Sequence, residues 1–321
     1  MLLSLILIVI SLAMLIFGAE WLVKGASSLA AKLGVSTLVI GLTVVAFGTS
    51  APELTVSLSA ALKGSVDIAI GNIIGSNIAN ILLILGVSGL VATLKVKSST
   101  VYKEIPLMLG GSVLLLVLAN DVLLDGGGAN ILSRTDGMAL LAIFGIFIYY
   151  VFSLAKKDKH LASSEEGVAS HSIPRSLLLL GVGLGLLIFG GRLLVQNAVI
   201  VAQTAGLSEA FIGLTIVAIG TSLPELATSV IAVRRGQTDI AIGNVVGSNI
   251  FNIFWILGLS SLITPLPVAA GASADFLVAI VAALLLFIAM FLWGKKRLTR
   301  YESLILLILY VAYMAFLVIR G

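Results

Sequence analysis

The 321-residue sequence contains no cysteine, which excludes disulfides and thiolate metal sites and leaves redox compartment unmarked. It has only two histidines, His160 and His171. Both fall in one polar stretch, so imidazole chemistry is excluded elsewhere. Charge is scarce as well: 11% of residues are Asp, Glu, Lys or Arg, against roughly 25% in an ordinary soluble domain. What fills the chain is apolar, at 60% hydrophobic. Several apolar runs exceed the roughly 18 residues that a bilayer-crossing helix needs. A soluble fold of this length is excluded, and no room is left for a separate soluble domain. The first run, from Leu2 to Gly18, is too long for a signal-peptide core and lacks a basic start and a small-residue cleavage site. It reads as a retained first membrane helix.

Apolar runs and turn residues predict ten helices, near 2–22, 36–62, 67–92, 104–120, 136–155, 175–198, 208–233, 239–263, 273–294 and 301–320. The fourth is followed by Asp121, Asp125 and the Gly126-Gly127-Gly128 run, a turn signal. One polar linker, Lys156 to Pro174, joins the fifth helix to the sixth. This divides the chain into a first membrane repeat (1–157), a linker (158–174) and a second membrane repeat (175–321). With ten spans, loops 1/2, 3/4, 5/6, 7/8 and 9/10 share one face and hold 15 of the 19 basic residues, leaving Lys63, Arg134, Arg192 and Arg320 for the other. Basic loops stay cytoplasmic. The linker is therefore expected in the cytoplasm and both termini outside, in a multi-pass protein of the cytoplasmic membrane.

The chain also repeats itself. Residues 41–90 and 213–262 agree at 31 of 50 positions without a gap, at a constant offset of 172. Five spans separate equivalent positions, and an odd number means the second copy enters the membrane from the opposite side. The expected fold is an all-α membrane protein, two inverted-topology five-helix repeats with helices 2 and 7 broken. Such repeats are typical of secondary transporters that bind at the midplane. A channel usually sets its filters in parallel around an axis. The spans also hold no Ser–Lys, Asp–Asp or histidine–metal constellation that would suggest an intramembrane enzyme.

Each copy carries Gly-Thr-Ser-x-Pro-Glu: Gly48, Thr49, Ser50, Pro52 and Glu53, then Gly220, Thr221, Ser222, Pro224 and Glu225. Proline removes an amide donor and clashes with the preceding turn but suits the first turn of a new helix. Each span is thus expected to be two half-helices with an unwound Gly-Thr-Ser stretch between them. A plain proline kink is the alternative. An ionisable residue in the membrane costs roughly 2.5–3.5 kcal/mol on insertion scales and is functional by default. Two symmetry-related glutamates favour function over a kink.

The next helix in each copy carries Gly71, Asn72, Gly75, Ser76, Asn77 and Asn80, or Gly243, Asn244, Gly247, Ser248, Asn249 and Asn252. The Gly-x-x-x-Gly spacings permit close backbone approach. Ser76 shares a helix face with Asn80, and Ser248 with Asn252; these are expected to look at the glutamates. Asn72, Asn77, Asn244 and Asn249 have interhelical hydrogen bonding as their simpler reading. Carboxylates, hydroxyls and amide oxygens without sulfur or imidazole suit hard cations such as Ca²⁺, Mg²⁺, Mn²⁺ or Na⁺.

These paired motifs, GTSxPEL followed by GNxxGSNI, resemble the alpha-repeats of the Ca²⁺/cation antiporter superfamily, in its Na⁺/Ca²⁺ exchanger branch of prokaryotic type. The resemblance covers essentially the whole chain. It implies a non-enzymatic antiporter that transports Ca²⁺ and Na⁺ by alternating access, with no prosthetic group and no nucleic-acid partner, in a fold able to work as a monomer in the bilayer. Ca²⁺/H⁺ exchangers of the superfamily usually carry Gly-Asn-x-x-Glu around the acid, so Na⁺ coupling is favoured. Proton coupling, K⁺-dependent exchange and another divalent ion stay open as alternatives. By the resemblance, Glu53 and Glu225 are central Ca²⁺ ligands. Thr49, Ser50, Ser76, Thr221, Ser222 and Ser248 line flanking Na⁺ positions, Ala46 and Ala218 supply carbonyls, and Asn80 and Asn252 complete the centre. The best-understood exchangers have Asp where Asn252 stands, which leaves ion stoichiometry open.

Overall fold

The computed structural model describes residues 2–126, 129–158, 171–205, 218–269, 272–291 and 296–320. Helix dominates: α1 Leu2–Leu33, α2a Thr37–Thr49, α2b Ala51–Leu62, α3 Val66–Val91, α4 Thr100–Leu118, α5 Arg134–Asp158, α6 Ile173–Thr204, α7 Leu223–Arg234, α8 Thr238–Ile263, α9 Ala272–Phe291 and α10 Arg300–Arg320. Among the described residues eight helices are long and apolar enough to cross a membrane, nine if the bent α2a–α2b pair is one span. The helix expected near 208–233 lies partly outside the described residues; α7 and a short turn, Ala218–Gly220, are its described part. Most of the 158–174 linker, including His160, also lies outside them, as do Gly127 and Gly128.

The bundle is arranged for lipid. Large apolar side chains such as Leu123, Tyr149, Phe152 and Phe189 stand exposed on its outside. α3 and α8 sit at the centre, with 72% and 94% of their most apolar window buried, against 17% for α5 and α10. Both central helices contain a wide π-helical stretch, Ala79–Ile84 in α3 and Phe251–Leu257 in α8. The two begin 172 residues apart.

α1 and α6 run further than expected from sequence, to Leu33 and Thr204 instead of 22 and 198. The apolar run ends at Glu20, but the helix does not. Glu20 and Lys24 pair one turn apart at 3.7 Å. Beyond them Gly25 to Ala30 are buried, and the far half of α1 packs on α6. Contact there is backbone to backbone: a Cβ on Gly183 would fall 2.6 Å from the Leu22 nitrogen, and one on Gly25 2.8 Å from the Ser176 carbonyl oxygen. Lys24 and Lys32 accordingly belong to a helix and not to a loop. At 32 residues each, α1 and α6 measure about 48 Å, longer than the roughly 30 Å hydrocarbon core, so they must tilt or project.

The close approach expected of the Gly-x-x-x-Gly pairs holds for α8. Cβ atoms on Gly243 and Gly247 would meet α2a at 2.9 and 2.8 Å. Gly71 and Gly75 have nothing within 4 Å among the described residues.

Gly64 and Gly236, again 172 apart, sit at φ +76° and +73° and end α2b and α7 in the left-handed conformation that glycine adopts without penalty. The next residue closes each turn: the Ser65 amide donates to Ala60 and the Gln237 amide to Ala232. Asp121–Asp125, expected as a turn, forms a short helix ended by Gly126 at φ +68°. Two two-residue ladders, absent from the sequence reading, tie loops together: β1 (Leu94–Lys95) pairs antiparallel with β4 (Arg297–Leu298), and β2 (Ile131–Leu132) with β3 (Leu266–Pro267).

Candidate cation site

The break in each motif is tighter than an unwound Gly-Thr-Ser. α2a stays helical through Thr49; Ser50 alone leaves helix geometry at φ −79°, ψ 7°, and α2b starts at Ala51 with Pro52 in its first turn. The axis bends there by 46°. In the second copy Thr221 and Ser222 form the turn between Ala218–Gly220 and α7, and Pro224 stands in the first turn of α7. Each glutamate therefore falls in the first turn of a half-helix, where the helix dipole favours a negative charge. Glu53 and Glu225 are each 1% exposed.

Hydroxyls from both copies converge on the two acids. Ser50 donates to Glu225 Oε1 at 3.1 Å and Ser222 to Glu53 Oε1 at 3.3 Å. Ser76 donates to Glu53 Oε1 at 3.3 Å and Ser248 to Glu225 Oε1 at 3.5 Å. Each acid is thus served once by its own copy and once by the other. The asparagines form a second ring. Asn80 Nδ2 donates to Asn249 Oδ1 at 2.9 Å, and Asn252 Nδ2 to Asn77 Oδ1 at 3.0 Å. Thr49 donates to Asn244 Oδ1 at 2.9 Å and Thr221 to Asn72 Oδ1 at 3.3 Å, and each hydroxyl also stands beside the acid of the other copy, Thr49 at Glu225 and Thr221 at Glu53. The Ala46 carbonyl accepts from Thr49 at 3.4 Å and from Ser248 at 3.5 Å. Ala218 begins the short turn ahead of Ser222.

Once these bonds are assigned, four buried oxygens at the centre have no protein partner: Glu53 Oε2, Glu225 Oε2, Asn80 Oδ1 and Asn252 Oδ1. A buried acceptor without a partner costs about 1–3 kcal/mol, and more for a charged group. Four of them, related in pairs by the 172-residue offset, form a hard-oxygen donor set of the sort a cation would satisfy.

The site also contains residues whose roles were not evident in the sequence. Asn72 and Asn244, expected to hold helices together, do so at the acids themselves. Each donates to the backbone carbonyl of its glutamate at 3.3 Å, and to Ser57 and Ser229 at 2.9 and 3.1 Å. Ser57 and Ser229 carried one signal, identity at equivalent positions of the two copies. Met108 of α4 accepts from Asn249 at 3.2 Å. The two repeat glutamates are also not alone in being buried. Glu104 of α4, expected at the mouth of its helix, is fully buried and accepts a hydrogen bond from the Tyr150 hydroxyl.

Acids, hydroxyls and amides buried at the centre of a lipid-facing helical bundle define an ion-handling membrane protein. The family model for the sodium/calcium exchanger protein matches residues 3–153 and 175–319. The chain is 40% identical over 320 residues, covering 98% of each, to the putative antiporter CaxA of Alkalimonas amylolytica. It is 32% identical, over 97% of each chain, to the sodium/calcium exchanger MaX1 of Methanosarcina acetivorans. Its structure resembles that of the sodium-calcium exchanger NCX_Mj soaked with zero Na⁺ and Ca²⁺, with a TM-score of 0.81 and 33% identity over 98% of this chain and 99% of that one. The chain belongs to the sodium/calcium exchanger family and is a transmembrane cation antiporter.

Proposed function

We propose that this antiporter exchanges Ca²⁺ for Na⁺ across the cytoplasmic membrane, binding them alternately at the Glu53–Glu225 centre. The four unpartnered oxygens carry this reading. Glu53, Glu225, Asn80 and Asn252 are the Ca²⁺ ligands. Ser50, Ser76, Ser222 and Ser248, with Thr49, Thr221 and the carbonyls of Ala46 and Ala218, line flanking Na⁺ positions. Two carboxylates balance one Ca²⁺ or two Na⁺, so either load leaves the buried site neutral, as a low-dielectric interior demands. Asn72, Asn244, Ser57 and Ser229 hold the acids in place.

The architecture behind this is ten spans in two five-helix repeats of opposite orientation: 1–157, then the 158–174 linker, then 175–321. Reciprocal contacts support it, since the Ser50–Glu225 and Ser222–Glu53 bonds exchange under the 172-residue offset, as do the two Asn–Asn bonds. The basic-residue bias puts the linker in the cytoplasm and both termini outside. A monomer contains the whole site.

The test is ⁴⁵Ca²⁺ uptake by purified protein in liposomes with imposed Na⁺, K⁺ or H⁺ gradients. Uptake driven by an outward Na⁺ gradient alone is expected. Uptake that follows only the proton gradient, or that requires K⁺, overturns the Na⁺/Ca²⁺ assignment.

A further inference from the structure

α1 and α6 hold equivalent places in the two halves, but they pack differently. α1 lies along α7, and its Glu20 takes Arg235 at 3.2 Å and Lys24 at 3.7 Å. α6 makes almost no contact with α2b. A cavity of about 420 Å³ occupies that gap, lined by Arg192 and Gln196 of α6, Pro52 of α2b, and Thr221 and Pro224 at the second break. The cavity thus reaches both broken helices and one of the proposed Na⁺ ligands.

The charge is reversed at one of these matched positions, with Arg192 where the first half has Glu20. Arg192 stands 172 residues after Glu20, and Lys63 stands 172 before Arg235. The pair that bridges α1 to the end of α7 is oppositely charged, while its counterpart is two cations. Gln196 replaces Lys24 by the same offset. Arg192 is exposed and forms no ion pair among the described residues. Its guanidinium is permanently charged. The cavity wall therefore carries an uncompensated positive charge, whereas Glu20 and its partners are ion-paired.

We propose that Arg192 is a selectivity residue of the antiporter, discriminating by valence against divalent cations in the cavity that Pro52, Thr221 and Pro224 line beside the Glu53–Glu225 cluster. A positive potential costs a cation in proportion to its charge. Whatever factor Arg192 imposes on Na⁺, it imposes the square of that factor on Ca²⁺. On the orientation proposed above, the Thr204 end of α6 and this cavity are extracytoplasmic. Arg192 then weakens Ca²⁺ return on the side of release more than it weakens Na⁺ entry. Glu20, at the matched cytoplasmic position, imposes no such penalty.

The inference rests on the exchange reading, and the two are separable. Half-saturating Ca²⁺ and Na⁺ concentrations are measured in right-side-out and inside-out vesicles for the wild type, Arg192→Gln and Arg192→Lys. In right-side-out vesicles Arg192→Gln is expected to lower the Na⁺ value about 2-fold and the Ca²⁺ value about 4-fold, with both shifts shrinking at high ionic strength. Arg192→Lys should keep wild-type values. The chain has no native cysteine, so Arg192→Cys modified after reconstitution with a cationic or a neutral thiol reagent repeats the comparison in one folded preparation. Equal shifts for the two ions, or a lysine variant that behaves like glutamine, overturn the proposal while leaving exchange intact. Wild-type vesicles that move no Ca²⁺ against Na⁺ overturn the exchange reading and this inference with it.

Discussion

Asn80 gives its amide nitrogen to Asn249 Oδ1 at 2.9 Å, and Asn252 gives its own to Asn77 Oδ1 at 3.0 Å. Each central asparagine is thereby held with its nitrogen occupied and its oxygen free, which is the orientation a cation ligand needs, because an amide that turned over would present its N–H₂ instead. Asn249→Ala removes the acceptor that sets Asn80, and Asn77→Ala does the same to Asn252. Either substitution is expected to weaken Ca²⁺ about 5- to 10-fold, the equivalent of one lost hydrogen bond, with both carboxylates untouched. Isothermal titration of the purified variants with Ca²⁺ checks this. Unchanged affinity in both variants contradicts an orienting role.

The acids set a harsher test. Glu53 and Glu225 each accept from two serines and keep one oxygen free. Replacing either with glutamine puts an N–H₂ group in place of one carboxylate oxygen and removes half of the charge that balances Ca²⁺. Both Glu53→Gln and Glu225→Gln should lose Ca²⁺ uptake while eluting as folded protein. Near-normal uptake by either would falsify its assignment as a ligand.

Much of this was legible beforehand because the repeat is a sequence property. Glu53, Glu225, Ser50, Ser222, Ser76, Ser248, Asn80 and Asn252 stand at matching positions of two near-identical blocks, and ionisable or polar groups in apolar spans are conspicuous. What crosses between the blocks was not legible. Nothing in the chain says that Ser50 bonds Glu225 and not Glu53, since that choice belongs to how the halves dock. Hydropathy placed the end of α1 too early because it stops at the first charge, whereas the helix is continued by Gly25 and Gly183 packing that only the folded pair reveals. It likewise set Glu104 at a helix mouth, although the surrounding helices bury it completely.

The orientation can be checked without transport. Ser98, which accepts from Lys296 beside the β1–β4 ladder, and Ala129, next to β2, are both exposed. The orientation proposed from the charge bias predicts Ser98 in the cytoplasm and Ala129 outside. A membrane-impermeant thiol reagent added to intact cells should label Ala129→Cys and spare Ser98→Cys until the membrane is permeabilised. The opposite pattern reverses the orientation.

Burial of a net charge should also limit how many Na⁺ ions the site takes at once. Both central asparagine positions are uncharged, so the site carries the two glutamates alone, and Asn252 is completely buried. Two Na⁺ neutralise it; a third leaves it positive in a low-dielectric interior, at a cost of several kcal/mol unless carbonyl dipoles or water screen it. Asn252→Asp adds the charge a third Na⁺ needs and leaves a Ca²⁺-loaded site negative. The Na⁺ dependence of Ca²⁺ exchange is therefore expected to be shallow in the wild type, with a Hill coefficient of about two, and to steepen toward about three in Asn252→Asp. Uptake assays run over a Na⁺ series, wild type beside the variant, read this directly. A wild-type coefficient already near three and unmoved by Asn252→Asp would mean that the carbonyls of Ala46 and Ala218 and the site hydroxyls, not carboxylate charge, set how much Na⁺ is bound.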